Sequence, residues 1–424
     1  MTTADVRRTV EAVWRMESAR IVAGLVRLVG DVGRAEDFAQ DALLAALERW
    51  SESGVPDNPG AWLAAVARRR AIDRLRRRSL AERKHQELAA SLEQPAAFEA
   101  PDAQLDEPID DEVLRLIFMC CHPVLSTEAR VALTLRVVGG LTTEEIARAF
   151  LVPVPTLAQR VVRAKRTLHE ARVPFALPPQ AELPGRLASV LEVVYLVFNE
   201  GYAATSGKEW TRPALCREAL RLGRVLAELA PAEPEVHGLV ALMELQVSRL
   251  AARVGPDGEA VLLMDQDRAR WDRLHIRRGL DALRRAQATG RGLGGGLGGA
   301  LGPYALQAAI AACHARAVTP EETDWQAIAA LYDALVQLLP SPVVELNRAV
   351  AVARAFGPAE GLELVDGLVT AGTLESYHLL WAVRGDLLAQ LGRHHEARAE
   401  FARAAEMAEN EAERALLRRR ANSR

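Results

Sequence analysis

Leu141 to Leu168, LTTEEIARAFLVPVPTLAQRVVRAKRTL, reads as two short helices joined by a tight turn. Thr142 followed three residues later by Glu145 is a capping box, in which each side chain satisfies a backbone amide that the helix start leaves open. Ile146, Ala147 and Phe150 give the first helix an apolar face, and Val152 and Pro153 end it. Pro155 suits a first helical position, so the second helix is predicted to begin there. Along it, Leu157, Val161, Ala164 and Leu168 recur at helical spacing and point inward. Thr156, Gln159, Arg160, Arg163 and Arg166 lie on the other side. A helix-turn-helix sets such a face into the major groove, where Arg reads guanine and Gln reads adenine. A solvated basic face on an ordinary helical hairpin has the same pattern, and the stretch alone leaves both readings open.

The rest of the chain narrows the choice. It has 424 residues, half of them hydrophobic and few aromatic. That length allows roughly two to four domains, and an Ala-, Leu- and Arg-rich composition favours helices. The formal net charge is −3, so nucleic acid can be met only through local basic patches. Cys120, Cys121, Cys216 and Cys313 form no disulfide pattern, which fits a reducing cytoplasm. The opening MTTADVRRTVEAVWRMESAR has no continuous apolar core, and no apolar run is long enough to span a bilayer.

Val10 to Val29 is predicted to be helical. Next, in DVGRAEDFAQDALLAALERW, Phe38, Ala42, Ala46 and Trp50 face a core, while Asp37, Gln40 and Asp41 share the opposite side. That acidic side is either a solubilising surface or a docking face for a basic partner. Asn58 caps a further helix with Pro59 at its first position. This helix, PGAWLAAVARRRAIDRLRRR, carries Arg68, Arg69, Arg70, Arg74, Arg76, Arg77 and Arg78. So dense a run repels itself unless an anion such as nucleic-acid phosphate compensates. Trp62 fits either a stacking platform for an unpaired base or the core. Ser79 to Glu112 turns acidic and proline-interrupted and reads as a flexible linker.

Taken in order, these pieces resemble a sigma factor of the extracytoplasmic-function group of the sigma-70 family, which keeps only regions two and four. The resemblance covers about the first 175 residues. It implies an all-α fold with region two at 1–80, the acidic linker at 81–111 and a region-four helix-turn-helix at 112–175. It implies that Glu36, Asp37, Gln40 and Asp41 meet the β′ clamp helices of core RNA polymerase, with the β flap as a second contact. Trp62, Arg68, Arg69, Arg74, Arg76 and Arg77 would capture the melted −10 element. Thr156, Gln159, Arg160, Arg163 and Arg166 would read the −35 element. The acidic linker would thread a polymerase channel that later carries nucleic acid. Arg69 stands where the family usually has Asn, and Ala158 replaces a frequent Lys, so the promoter sequence does not carry over from relatives.

From Pro178 to the last residue, 178–424, amphipathic helices follow one another without that basic character. Asp265, Asp267 and Asp272 lack the spacing of a calcium loop and suit helix caps. GRGLGGGLGGALG, Gly290 to Gly302, is a low-complexity loop and not a phosphate loop. Trp381, Gly385, Leu388, Gly392, Ala397, Phe401 and Ala404 fit a tetratricopeptide unit, whose period is about 34 residues. Hairpins of this kind stack because one alone cannot bury its apolar face. The predicted array would bind a protein or small-molecule ligand and regulate the sigma regions, as in a subgroup of the family that carries such an extension. Cys120, Cys121 and His122 lack metal-ligand spacing and are expected as buried thiols. No nucleophile constellation, nucleotide loop or cofactor motif points to an enzyme. The competing reading is a helix-turn-helix regulator with a ligand-sensing helical repeat, acting without polymerase and with no need of the Asp37–Asp41 face.

Overall fold

The computed structural model describes residues 3–89, 109–150, 152–204, 210–256, 259–293 and 301–422. Among them every long element is an α-helix, and Val254 and Ala260 form an isolated β-bridge. The chain divides into two units, Met1–Val193 and Val194–Arg424.

In the first unit, α1 (Thr3–Val29) packs against α2 (Val32–Ser53), α3 (Pro59–Ala89) and α4 (Ile109–Cys120). Gly30, with φ of +68°, makes the turn between α1 and α2, and the Asp31 carboxylate then accepts from Arg34 N at 2.8 Å to start α2. Asn58 caps α3 by accepting from Ala61 N at 3.1 Å. The core between these helices holds Val10, Val22, Ala42, Ala46, Trp50 and Leu63, while Phe38, expected on the same face, is half-buried. α3 runs to Ala89, beyond the expected end of region two. The continuation, LAERKHQELA, is made of strong helix formers with no Gly or Pro, so nothing stops the helix there. The remainder of the expected linker, residues 90–108, lies outside the described residues.

After α4 come α5 (Thr127–Val137), α6 (Thr143–Ala149) and α7 (Val154–Glu170). Both α5 and α6 pack on α7. The predicted capping box is present: Thr142 N donates to Glu145 Oε2 at 2.8 Å, and Glu145 N donates to Thr142 Oγ1 at 3.1 Å. α7 begins one residue before Pro155, with Pro153 as a cap that offers no side-chain bond. Cys120 and Cys121 are buried, and burial pushes the Cys121 thiol up to about 11 despite its contact with Thr134 Oγ1. Among the described residues no group of His, Cys, Asp and Glu side chains is arranged to hold a metal ion.

α8 (Leu183–Tyr202) begins in the first unit, where Ser189 Oγ donates to Cys121 O at 2.9 Å. It ends in the second unit, where Tyr195 Oη and Gln307 Oε1 are 3.1 Å apart.

The second unit is built round α10 (Pro234–Val247), which is buried from Val236 to Leu245. α9 (Pro213–Leu229), α11 (Arg273–Leu293) and α12 (Pro303–Arg316) pack around it. Gly238 permits the approach of α12: a Cβ there would lie 2.7 Å from Ala305 N. The one charge in the middle of α10, Glu244, is held by Arg224 Nε at 2.9 Å and His275 Nδ1 at 2.6 Å. Sequence periodicity carries this helix to Val254, but it stops at Val247. Ser248 Oγ donates back to Leu245 O, and Asp272 N donates to Ser248 O, so the backbone there has partners other than the next helical turn. Asp267 and Asp272 act as caps, accepting from Ala269 N and from Leu274 N.

α13 (Trp325–Leu338), α14 (Pro342–Phe356), α15 (Pro358–Thr370), α16 (His378–Gln390), α17 (His394–Met407) and α18 (Glu411–Asn422) pack in succession. Trp381, Leu388, Ala397, Phe401 and Ala404 share one core with Leu346, Val365 and Leu417. Of the glycine-rich stretch, residues 294–300 lie outside the described residues. No described helix is long and apolar enough to cross a membrane.

Candidate nucleic-acid interface

The second helix of the opening stretch is two-sided as its spacing demands. Leu157, Val161, Ala164 and Leu168 of α7 are buried. Thr156, Gln159, Arg163 and Arg166 are exposed, and Arg160 is half-buried beside them. Arg163 Nη2 donates to Gln159 Oε1 at 3.4 Å, which couples two adjacent candidate readers one helical turn apart. Arg166 sits 3.3 Å from Glu170 across an exposed turn. Exposed pairs of this kind contribute little, so both Arg side chains are available to phosphate or base edges.

On α3 the side chains of Arg68, Arg69, Arg74, Arg76 and Arg77 are exposed. Arg77 Nε donates to Asp73 O at 3.3 Å. Trp62 is half-buried, its ring 5.4 Å from that of fully buried Trp50 in an edge-on arrangement. One side of Trp62 is therefore occupied by the core, and the rest of the ring is partly exposed on the helix that carries the basic run. A cavity of 480 Å³ opens between α2 and α3 and is lined by Arg34, Asp37, Phe38, Asp41, Arg70 and Arg74 among others. It brings the acidic side of α2 and the basic side of α3 to one groove. Arg70 bridges them, with Nη1 3.7 Å from the Asp41 carboxylate and 2.5 Å from Asp41 O.

The four acidic-face candidates part company. Asp37 and Asp41 are exposed and Gln40 is half-buried. Burial and the neighbouring carboxylates of Glu36, Asp41 and Asp31 raise the Asp37 pKa, with Lys165 opposing them. Glu36, in contrast, is 3% exposed. Arg136 Nε of α5 donates to its Oε1 at 2.6 Å, and Lys165 of α7 pairs with Oε2. One turn on, His169 Nδ1 lies 2.8 Å from Asp31 Oδ2. Arg27 Nη1 of α1 lies 3.1 Å from Glu112 of α4. Arg136, Lys165 and His169 are thus ion-pair partners of this acidic side that sequence reasoning left unassigned. Glu36 and Arg136 are 100 positions apart, and no local pattern announces so distant a pair.

Comparison with known proteins fits this arrangement. The sigma-70 region 2 family matches residues 14–80, and the sigma-70 region 4 family matches residues 115–168. A family of unknown function, DUF6596, matches residues 186–287. The probable ECF RNA polymerase sigma factor SigI of Mycobacterium tuberculosis is 31% identical over 170 residues, spanning 40% of this chain and 58% of SigI. The ECF RNA polymerase sigma factor SigK of the same organism is 27% identical over 151 residues, 35% of this chain and 78% of SigK. The uncharacterized protein R00370 of Rhizobium meliloti is 44% identical over 403 residues, 94% of this chain and 91% of that protein. On that likeness across nearly the whole of both chains, the protein belongs to the family of R00370, and it carries sigma-70 region 2 and region 4 domains.

Proposed function

We propose that the protein is a sigma factor of the extracytoplasmic-function kind: it joins core RNA polymerase, recognises −35 and −10 promoter elements and promotes initiation, without catalysing chemistry itself. The observation that carries the reading is the pair of separate basic surfaces, Gln159–Arg166 on α7 and Arg68–Arg77 on α3, within segments that match region 4 and region 2. Duplex and melted strand need different readers. Exposed Arg and Gln on an inserted helix suit base edges, and a dense arginine row beside a partly exposed Trp suits a single strand.

In this reading Asp37, Gln40 and Asp41 offer acceptors to the β′ clamp helices, and Glu36 joins them only after leaving Arg136 and Lys165. The long helical region at 178–424 regulates these steps as a tetratricopeptide-like array that takes a protein or small-molecule ligand. The test is transcription reconstituted with sigma-free core polymerase. Promoter-specific initiation supports the proposal. Promoter binding without any initiation would favour a helix-turn-helix regulator that works apart from polymerase. Repeating the assay with the chain ended after the region-4 match gives the sign of the regulation.

A further inference from the structure

In the second unit three arginines and three aromatic rings alternate in one ladder. The Cζ of Arg253 lies 5.3 Å from the Trp210 ring centroid and 3.8 Å from that of Tyr202. Arg249 follows, at 5.7 Å from Tyr202 and 5.9 Å from Trp271. Arg268 closes the row, 5.1 Å from Trp271. Arg249 is 9% exposed and Arg268 5%. Among the described residues none of the three forms a salt bridge with a carboxylate. The carboxylate of Glu200, also on α8, is taken by Arg212.

The three cations differ in what holds them. Arg268 is anchored: it donates to His314 O and Ala317 O, each at 2.9 Å, and to Thr323 Oγ1 at 2.8 Å, while Glu321 and Glu322 act on it electrostatically. Its role is to pin the 268–271 turn to the end of α12. Among the described residues the Arg249 guanidinium hydrogen-bonds to the side-chain oxygen of Gln246 alone. The Arg253 guanidinium meets ring faces and no described carboxylate or carbonyl, although burial disfavours its charge. Buried charges in proteins are paired or coordinated. Ring faces contribute about 2 kcal/mol each when desolvated, less than the several kcal/mol that an ion loses with its water.

Most of the unfilled polar atoms around the ladder share one character, the acceptor Gln266 Oε1, two residues before Arg268, being an exception. Among the described residues Trp210 Nε1, Trp271 Nε1, Arg249 Nε and Arg253 Nε are buried without a hydrogen-bond partner, and the buried Tyr202 Oη has only Arg253 beside it. All carry hydrogen, and the Trp and Arg atoms are donors only. A donor-only, positively charged cluster selects a ligand rich in acceptor oxygens. The depth of Arg249 restricts that ligand to a small one. The 590 Å³ cavity lined by Ser248, Ala251, Val254, Arg270, Asp272 and His275 uses the same chain segments. Its lining residues exclude Arg249 and Arg253, and its charges of both signs do not call for an anion.

We propose that Arg249 and Arg253, with the Tyr202 hydroxyl and the indole N–H groups of Trp210 and Trp271, form a binding site for a small oxyanion, carried by a phosphate or a carboxylate group. Simple anions suffice to occupy it. The site belongs to the segment matched by DUF6596 and does not depend on the transcriptional reading.

The experiment is a thermal-unfolding and calorimetric titration of the full chain with sodium phosphate and, separately, sodium succinate, at ionic strength fixed with sodium chloride. A saturable rise of the unfolding temperature with one of the two is expected, and the stronger arm identifies phosphate or carboxylate as the source. Arg253→Gln should weaken that binding at least tenfold, with Arg253→Lys between the two because a point charge replaces the planar fork. Arg249→Gln should do the same. If that variant does not fold, Arg253→Gln carries the test, because its guanidinium has only the Tyr202 hydroxyl as a described hydrogen-bond neighbour. Arg403→Gln, which removes a guanidinium 3.3 Å from the Trp381 ring in a different hairpin, should leave the response unchanged. No saturable response to either anion, or an equal response in Arg253→Gln, overturns the proposal. A loss of response in Arg403→Gln as large as in Arg253→Gln overturns it as well.

Discussion

Glu36 on α2 and Lys165 on α7 meet as an ion pair, with Arg136 Nε adding a second donor to the same carboxylate at 2.6 Å. The carboxylate is almost fully buried and the two cations are about four-fifths buried. Lys165 therefore projects inward from the helix whose other side presents Gln159, Arg163 and Arg166.

Breaking this cluster from one side is costly. Glu36→Ala leaves Arg136 and Lys165 facing each other without their common anion, a loss of about 3–5 kcal/mol for a buried pair with one partner removed. The double variant Glu36→Ala/Lys165→Met should recover part of that loss, because only one cation is then left uncompensated. The measurement is a double-mutant cycle by denaturant unfolding of the full chain, following the transition of the first unit. Strict additivity of the two substitutions would rule out a direct coupling.

Promoter recognition is predicted to divide along α7. Arg163→Ala should cost about 1–3 kcal/mol in −35 binding and relax the preference at one base pair, as for a base-reading arginine. Arg166→Ala, further along the helix and loosely paired with Glu170, should weaken binding to all sequences alike and reduce the salt slope by about 1, as for a phosphate contact. Binding of duplex variants at several salt concentrations separates the two. Unchanged −35 selectivity in Arg163→Ala would remove it from the reader set.

These relationships show which features a sequence displays and which it does not. The capping box of Thr142 and Glu145, the Asn58 cap, the buried row Leu157–Leu168 and the Asp267 and Asp272 caps are encoded within a few residues, and each is present. The exposed arginines of α3 and α7 were legible for the same reason: helical spacing separates them from the apolar face. Glu36 was not. Its neighbours Asp37 and Asp41 are exposed as expected, but its own side is fixed by Arg136 and Lys165, far along the chain. The ends of α3 and α10 were also hidden. One continues for want of a breaker. The other stops where Ser248 and Asp272 supply competing backbone bonds. The arginine ladder left no local mark either, since it joins α8, the segment after α10 and the turn before α11 only in three dimensions.

His314 gives the second unit a directed acid sensitivity. Burial, and then the nearby charges of Arg249 and Arg268, lower its pKa from 6.5 to about 3. The ring packs edge-on against Trp325, 5.1 Å between centroids. The folded state holds this imidazole neutral while the unfolded chain protonates it near pH 6.5, so the unfolded state binds more protons between those two values. Its contribution is present above pH 6.5 and is lost as pH falls toward 3, by up to about 1.4 kcal/mol per pH unit. His314→Gln should flatten that slope in unfolding experiments between pH 6.5 and 4.5. An unaltered slope would assign the acid sensitivity to other groups.

The hairpin of α16 and α17 depends on a matched pair of unequal side chains. Gly385 has no Cβ, and Phe401 lies against the space: an added Cβ would come within 3.0 Å of Phe401 Cδ1 and Cε1 and 3.2 Å of Ala397 O. Phe401 is buried in the core that includes Trp381, Leu388 and Leu417. Phe401→Ala should therefore destabilise the second unit by about 3–5 kcal/mol through lost burial and the cavity left behind. Gly385→Ala works in the opposite sense, by overpacking, at about 1–3 kcal/mol. Combined with Phe401→Leu, Gly385→Ala should cost less than it does alone, because the ring edge that it meets is gone. Denaturant unfolding of the two single variants and the double variant measures that interaction, with 0.5 kcal/mol or more expected for side chains in contact. Additive costs would mean that Gly385 is required by Ala397 O and the backbone rather than by the aromatic ring.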